Sequence, residues 1–457
     1  MSRVLLAELC RIRLFRTAAR VLYRLTAKCA IALCRSLEDV KAAYLVGSMA
    51  SGDIAPGLSD IDIVMVIEDL PADQEIRLVQ LIERRLRFVL PPFGKPKTGT
   101  HVMIYASTEW KLFGHMLKGK RSGTPITAFE HPSVQPRKTV NHWTRSLHHL
   151  FKAFWRLQDL QSEWRLPSDN RLNTLLRLRL CERLVGALED AWEEVGLSPQ
   201  SNAGFVASVR IIRSVIGSNH FRRDYRGLVA LLPNFLDAMD RSILNCLPKG
   251  LRQTGSLTWH EDQRVNECDN YSHSMALADD LRECWGDVVG DGSIHVSRIG
   301  SVDLVVCDSL SEECFRILTG WFAGNGEKKA LFVSSLMLQV FYLNDAFGPS
   351  AFIRLKDRSP FIATGRLTPE RFLMEAYAMF PRVRALERLS DPVTIQTYTQ
   401  RFERLIGYTK GVGPDVHTIV IPNTTTDAPL HPGDSRDELA TVHSRLRCLS
   451  DRLTGAE

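Results

Sequence analysis

Two aspartates, Asp60 and Asp62, open the apolar run Asp-Ile-Asp-Ile-Val-Met-Val-Ile at 60–67. Side chains two apart on a strand point the same way, so the two carboxylates project together while Ile61 and Ile63 face the opposite side. Carboxylates held that close repel one another and are costly unless a cation sits between them. Hard oxygen donors of this kind suit Mg²⁺, which proteins bind through one or two carboxylates and complete with phosphate oxygens and water. Mn²⁺ accepts the same donors. Upstream stands Val46-Gly47-Ser48, separated from Asp60 by eleven residues. Gly47 has no Cβ, so a phosphate can approach its backbone closely. Ser48 adds a hydroxyl beside the exposed amides of a turn. A small-residue turn next to a metal-holding carboxylate pair is what a nucleoside triphosphate needs. The turn holds the outer phosphates, and the metal neutralises charge that develops on leaving pyrophosphate.

The elements that must position these residues can be read from the flanking patterns. Residues 3–38 predict one or two helices, and 41–48 a short buried strand ending in a turn. The stretch 49–59 is a loop, with Pro56-Gly57 suited to the centre of a type II turn. Residues 60–67 and 101–106 read as a second and a third strand, and 72–90 as a helix stopped by Pro91-Pro92. From 141 to 250 the pattern is helical, with Leu147, Leu150, Phe154 and Leu157 on one face. The polar stretch 252–273 reads as a linker. Residues 293–298 and 301–307 can pair as a hairpin around Ile299-Gly300, and 329–343 and 367–405 look helical. The expected fold is an α/β amino-terminal domain (a short mixed sheet flanked by helices) over residues 1–140. A helical domain follows at 141–265, a mixed α+β carboxy-terminal region at 266–422, and a polar, mobile tail at 423–457.

The run from Gly47 through Asp62, an apolar residue followed by Gly-Ser and then by Asp-x-Asp, resembles the signature of the nucleotidyltransferase superfamily. It looks like the compact branch that includes the minimal nucleotidyltransferases and the aminoglycoside adenylyltransferases, over about residues 30–115. The resemblance implies that Gly47 and Ser48 bind the triphosphate and that Asp60 and Asp62 hold Mg²⁺ or Mn²⁺. It implies transfer of a nucleoside monophosphate to a hydroxyl of an unidentified small-molecule or protein acceptor. The family's third carboxylate, which activates that hydroxyl, comes from the next strand. Here that position holds His101. Three readings stay open. His101 serves as the base, since histidine titrates near neutrality; a distant acid (Glu109, Glu130 or Asp303) completes the site; or the chain binds nucleotide without turning it over, as a regulator. A toxin–antitoxin or defence module is a further alternative, suggested by the company such domains keep.

Composition narrows the classes. Lys and Arg total 58 against 52 acids, a mild excess that fits an anionic ligand but does not indicate a nucleic-acid binder. Ten cysteines form no Cys-x-x-Cys, so they read as free thiols of a cytoplasmic protein rather than as a zinc ribbon or redox motif. No apolar run is long enough for a transmembrane segment. Near the amino terminus, Arg11, Arg13, Arg16, Arg20 and Arg24 interrupt every apolar stretch, which excludes a signal peptide. They recur at helical spacing and predict one basic face, either solvated or set against a membrane surface or polyanion. His142, His148 and His149 suggest a metal cluster but lack an acidic partner nearby in sequence, so they read as a surface helix. Oligomeric state has no sequence signal.

Overall fold

The computed structural model describes residues 9–10, 12–52, 54, 56, 59–90, 102–117, 126–134, 142–162, 171–217, 231–252, 255–259, 294–299, 302–307, 330–341, 361–365 and 381. It divides into two compact units, one holding residues 1–145 and the other 146–368. Strands Val40–Val46 (β1), Asp62–Ile67 (β2), Val102–Ala106 (β3) and Ile126–Glu130 (β4) make one mixed sheet in the order β3-β2-β1-β4. β1 runs antiparallel to β2 and β4, whereas β2 and β3 are parallel. A parallel pair needs a crossover rather than a hairpin, and the helix Ala72–Leu86 lies in that connection.

Helix Arg13–Arg35 (α1), the single turn Ser48–Ser51 (α2) and Ala72–Leu86 (α3) precede β3 in the chain. α1 and α3 supply one core with the sheet. Tyr23, Ala27, Ala30 and Cys34 of α1 join Leu78, Ile82 and Leu86 of α3 against Ile63, Met65 and Ile67 of β2. The alternate positions Tyr44 and Tyr105 meet Trp110 of helix Ser107–Phe113 (α4), with ring centroids 4.7 and 5.8 Å away. β2 is therefore buried on both faces, which is why its sequence is a continuous apolar run after Asp62.

Three element boundaries differ from the sequence reading. β1 stops at Val46 and β2 starts at Asp62, because Val46 and Asp62 are the last facing pair of their ladder. Gly47 then turns the chain away, which leaves Asp60 just outside the strand. α3 ends at Leu86 rather than at the prolines. Its end tightens into a turn in which the Val89 and Leu90 amides both donate to the Leu86 carbonyl, and Leu90 tucks into the core. Residues 330–333, read as helix, form a strand, because a short apolar run carries no periodicity to separate the two.

In the second unit, helices His142–Ser162 (α5), Arg171–Glu194 (α6), Ala203–Gly217 (α7), Leu232–Cys246 (α8) and Lys249–Arg252 (α9) are followed by strands. Gly255–Trp259 (β5), inside the expected linker, pairs with Phe361–Gly365 (β9). Ile294–Ile299 (β6) and Val302–Cys307 (β7) form the expected hairpin, and Ala330–Val333 (β8) adds parallel to β7 before helix Ser335–Phe341 (α10). α5 and β8 share one interior. The buried amide of Gln161 on α5 accepts from the Phe332 amide at 2.6 Å and donates to its carbonyl at 2.9 Å. The helix expected at 367–405, Pro381 apart, and the tail expected at 423–457 lie outside the described residues.

His142 is exposed, but His148 and His149 are buried, contrary to the surface-helix reading. The acidic partners that their own segment lacks come from α6. His149 Nδ1 lies 3.9 Å from Asp190 Oδ2, and its Nε2 lies 3.9 Å from Glu194 Oε1. Among the described residues no group of three or more His, Cys, Asp or Glu is arranged to hold a metal ion. Burial, with the Lys152 ammonium and His149 beside it, holds the His148 imidazole well below the usual histidine range, so it is neutral in the fold. The unfolded chain takes up a proton below about pH 6.5 that the folded chain refuses, so stability falls as pH drops through that point. The slope from this one group is at most about 1.4 kcal/mol per pH unit. Denaturant titrations between pH 7 and 5 should give a shallower acid-side loss for His148→Gln than for the wild-type chain. Parallel curves for the two would refute the assignment.

Candidate functional site

The site is built where β1 and β2 part. Gly47 has φ 61° and ψ −136°, a backbone conformation that side chains with a Cβ rarely adopt. A Cβ placed there would lie 2.5 Å from Asp62 Oδ2. Glycine is thus required twice over, by conformation and by the close approach of the carboxylate. The Gly47 carbonyl accepts from the amides of Ala50 and Ser51 at 3.1 and 3.0 Å, which closes the single turn of α2. Gly52, at φ 74°, ends that turn in the left-handed region.

Ser48 follows at once and is only 4% exposed, and its Oγ has no hydrogen-bond partner among the described residues. A buried hydroxyl without a partner loses about 1–3 kcal/mol of solvation unless a ligand or water meets it. Across the turn, Asp60 and Asp62 are half-buried, while Ile61 and Ile63 are fully buried. The alternation expected of a strand therefore holds through Asp60, although the ladder itself begins at Asp62. Two carboxylates, a glycine cradle and a buried hydroxyl form a donor set that fits a divalent cation together with phosphate oxygens.

Two residues of α1 hold the connecting loop, Tyr23, which the sequence reading overlooked, and Arg20, which it placed only on a basic face. Tyr23 Oη donates to the Ser59 carbonyl at 3.1 Å in a buried position, directly before Asp60. Arg20 Nε donates to the Ile54 carbonyl at 3.2 Å. The sequence signal for Arg20 was its place among regularly spaced arginines, which does not tell a loop anchor from a solvated cation. Tyr23 gave no signal beyond an apolar helix position.

The third strand begins level with the site, since Val102 pairs with Ile63. His101, the residue before it, lies outside the described residues. Glu109 sits at the far end. Its Oε2 accepts from the Ala106 amide at 2.9 Å and closes the first turn of α4. Ala106 pairs with Ile67, five residues along β2 from Asp62, or about 16 Å at the rise of a strand. Glu130 faces Ala42, four residues back along β1 from Val46, and accepts from Tyr44 Oη at 2.6 Å. Burial and this bond push the Tyr44 phenol well up, so it remains a donor. Asp303 lies on β7, in the other unit, facing Arg298 in the β6–β7 ladder.

Residues 28–92 match the nucleotidyltransferase domain family. The match runs from the second half of α1 through the end of α3 and contains Gly47, Ser48, Asp60 and Asp62. The matched residues lie within the amino-terminal α/β unit. No match was found among curated proteins or among solved structures. No helix among the described residues is long and apolar enough to cross a membrane.

The two glycines separate the two reasons for glycine. Gly52→Ala meets open space and should cost only its left-handed backbone, about 1 kcal/mol. Gly47→Ala meets the Asp62 carboxylate as well, so it should lower stability by about 2–4 kcal/mol. Thermal melts of both variants check this. Equal shifts would mean that the contact with Asp62 imposes nothing.

Proposed function

We propose that the chain is a metal-dependent nucleotidyltransferase that moves a nucleoside monophosphate from a nucleoside triphosphate to a hydroxyl on a small-molecule or protein acceptor. The observation that carries this reading is the buried Ser48 hydroxyl, without a hydrogen-bond partner among the described residues, beside a glycine backed against the Asp62 carboxylate. Gly47 leaves the backbone open to the outer phosphates, and Ser48 donates to one of their oxygens. Asp60 and Asp62 would hold Mg²⁺ or Mn²⁺, which when bound neutralises phosphate charge.

In the transfer, the acceptor oxygen bonds to the α-phosphorus, the bond to the β-phosphate breaks, and pyrophosphate leaves. His101, next in sequence to the residue that pairs with Ile63, takes the acceptor's proton in place of a third carboxylate. ATP is the first triphosphate to try. Such substrates are supplied in the cytoplasm, and the buried free thiols of Cys10, Cys34, Cys181 and Cys246 agree with that setting. A second reading, a nucleotide-binding regulator without turnover, is favoured by one observation. β3 contributes no acid, and Glu109 and Glu130 are both engaged away from Asp62.

The experiment is incubation with each labelled triphosphate and Mg²⁺, followed by detection of released pyrophosphate and labelled product. Asp60→Asn with Asp62→Asn should abolish release, and pyrophosphate release that survives in this double variant would overturn the site. Ser48→Ala should weaken triphosphate binding about tenfold, the loss of one hydrogen bond to a charged oxygen. His101→Gln should lower kcat by about 10²- to 10⁴-fold with little change in nucleotide affinity. Metal-dependent binding without release across candidate acceptors would select the regulator.

A further inference from the structure

We infer that α1 is an interfacial helix that docks the chain on an anionic lipid surface. The inference stands apart from the proposed transfer reaction, because it uses the side of α1 turned away from the sheet. One face of α1 is spent on the core through Ala19, Tyr23, Ala27, Ala30 and Cys34. A second apolar stripe carries Leu14, Val21, Leu22, Leu25 and Leu33, each between 38% and 76% exposed. At 3.6 residues per turn these five fall within a sector of about 120°, roughly opposite the buried face. The stripe extends along about 28 Å of helix. Scattered exposed leucines need no explanation, but a continuous stripe does.

Charge identifies what covers it. α1 carries Arg13, Arg16, Arg20, Arg24, Lys28 and Arg35 and no acid. Arg24 and Lys28 are exposed and lie along the flank of the stripe. An apolar stripe edged by cations is the pattern of a helix lying in the headgroup region, with apolar side chains among the acyl chains and cations at the phosphates. A second copy of the chain fits less well. A symmetric contact sets the same surface against itself, so the cations of one α1 would face those of the other with no acid on α1 to offset them. α1, with its six cations, is not apolar enough to cross the bilayer, and no other helix among the described residues is, so the contact proposed is one of lying on the surface.

The test is co-sedimentation of the full chain with phosphatidylcholine vesicles, with and without phosphatidylglycerol, at low and high salt. The wild-type chain should bind the anionic vesicles, spare the neutral ones and be released as salt rises. Leu22→Glu with Leu25→Glu should weaken binding by about tenfold or more, while circular dichroism matches the wild type because both positions face away from the core. Arg24→Glu with Lys28→Glu should weaken it by a similar factor, and keeps the test decisive if the leucine pair fails to fold. Equal binding to neutral vesicles, or unchanged binding by the charge-reversed variant, would overturn the inference. So would a wild-type dimer that ignores vesicles and dissociates when the leucines are replaced, which would assign the stripe to a second copy. Loss of nucleotide binding has no bearing on these outcomes, so this inference and the transferase reading fail separately.

Discussion

The narrowest constraint in the amino-terminal unit is the gap between the Gly47 backbone and the Asp62 carboxylate. A methyl group would close it. Everything around the site can be understood as a way to hold that gap open to a ligand but closed to a side chain. The ladder between β1 and β2 brings Val46 opposite Asp62 and stops there. The left-handed turn of the backbone at Gly47 then sends Ser48 inward instead of continuing the strand. Had the ladder run two residues further, Ser48 and Asp60 would face each other as ordinary strand partners, and no open turn would exist. Glycine adopts this backbone freely, and β1 on one side and the turn of α2 on the other fix its ends.

The chain between α2 and Asp60 is held from outside at two described points, both by α1. Tyr23 holds the end next to Asp60, and Arg20 holds Ile54. α1 carries small buried residues, Ala27 and Ala30, that let it sit close to β1 and α3. The chain of dependence thus runs from alanine spacing on a helix, to helix depth, to two hydrogen bonds, to the position of a carboxylate. A residue such as Tyr23 acts on the site without touching a ligand.

The sequence made the centre of the site legible because its chemistry is local. Gly47-Ser48 and Asp60-x-Asp62 each lie within a few residues, and strand alternation fixes which way they face. β1, β2, β3 and the β6–β7 hairpin were also open to reading, through apolar runs bounded by turn residues, whereas β4 and the order of the strands were not. What stayed hidden depends on partners far along the chain. Tyr23 meets Ser59 thirty-six residues away. His148 and His149 look solvent-facing in their own segment and are buried only because α6 brings Asp190 and Glu194 to them. β5 lay in a polar stretch with no strand signal, since its partner β9 begins about a hundred residues later. Local pattern gives the type of an element, whereas pairing across long separations decides whether a marginal segment forms one.

Two of the three acids that could have replaced a third carboxylate, Glu109 and Glu130, show how fixed the rest of the sheet is. Bringing Glu109 to the site would strip the Ala106 amide of its acceptor and open the first turn of α4, a cost of about 1–3 kcal/mol for the buried amide alone. It would also have to cross about 16 Å of packed sheet. Moving Glu130 would free a Tyr44 phenol that burial keeps protonated, and would disturb its stack on Trp110. Both carboxylates are committed to the architecture at the end of the sheet away from Asp62. Among the described residues of the amino-terminal unit, neither of these two acids is placed to accept the proton in the proposed transfer, which is why His101, at the entry to β3, carries that role in the proposal.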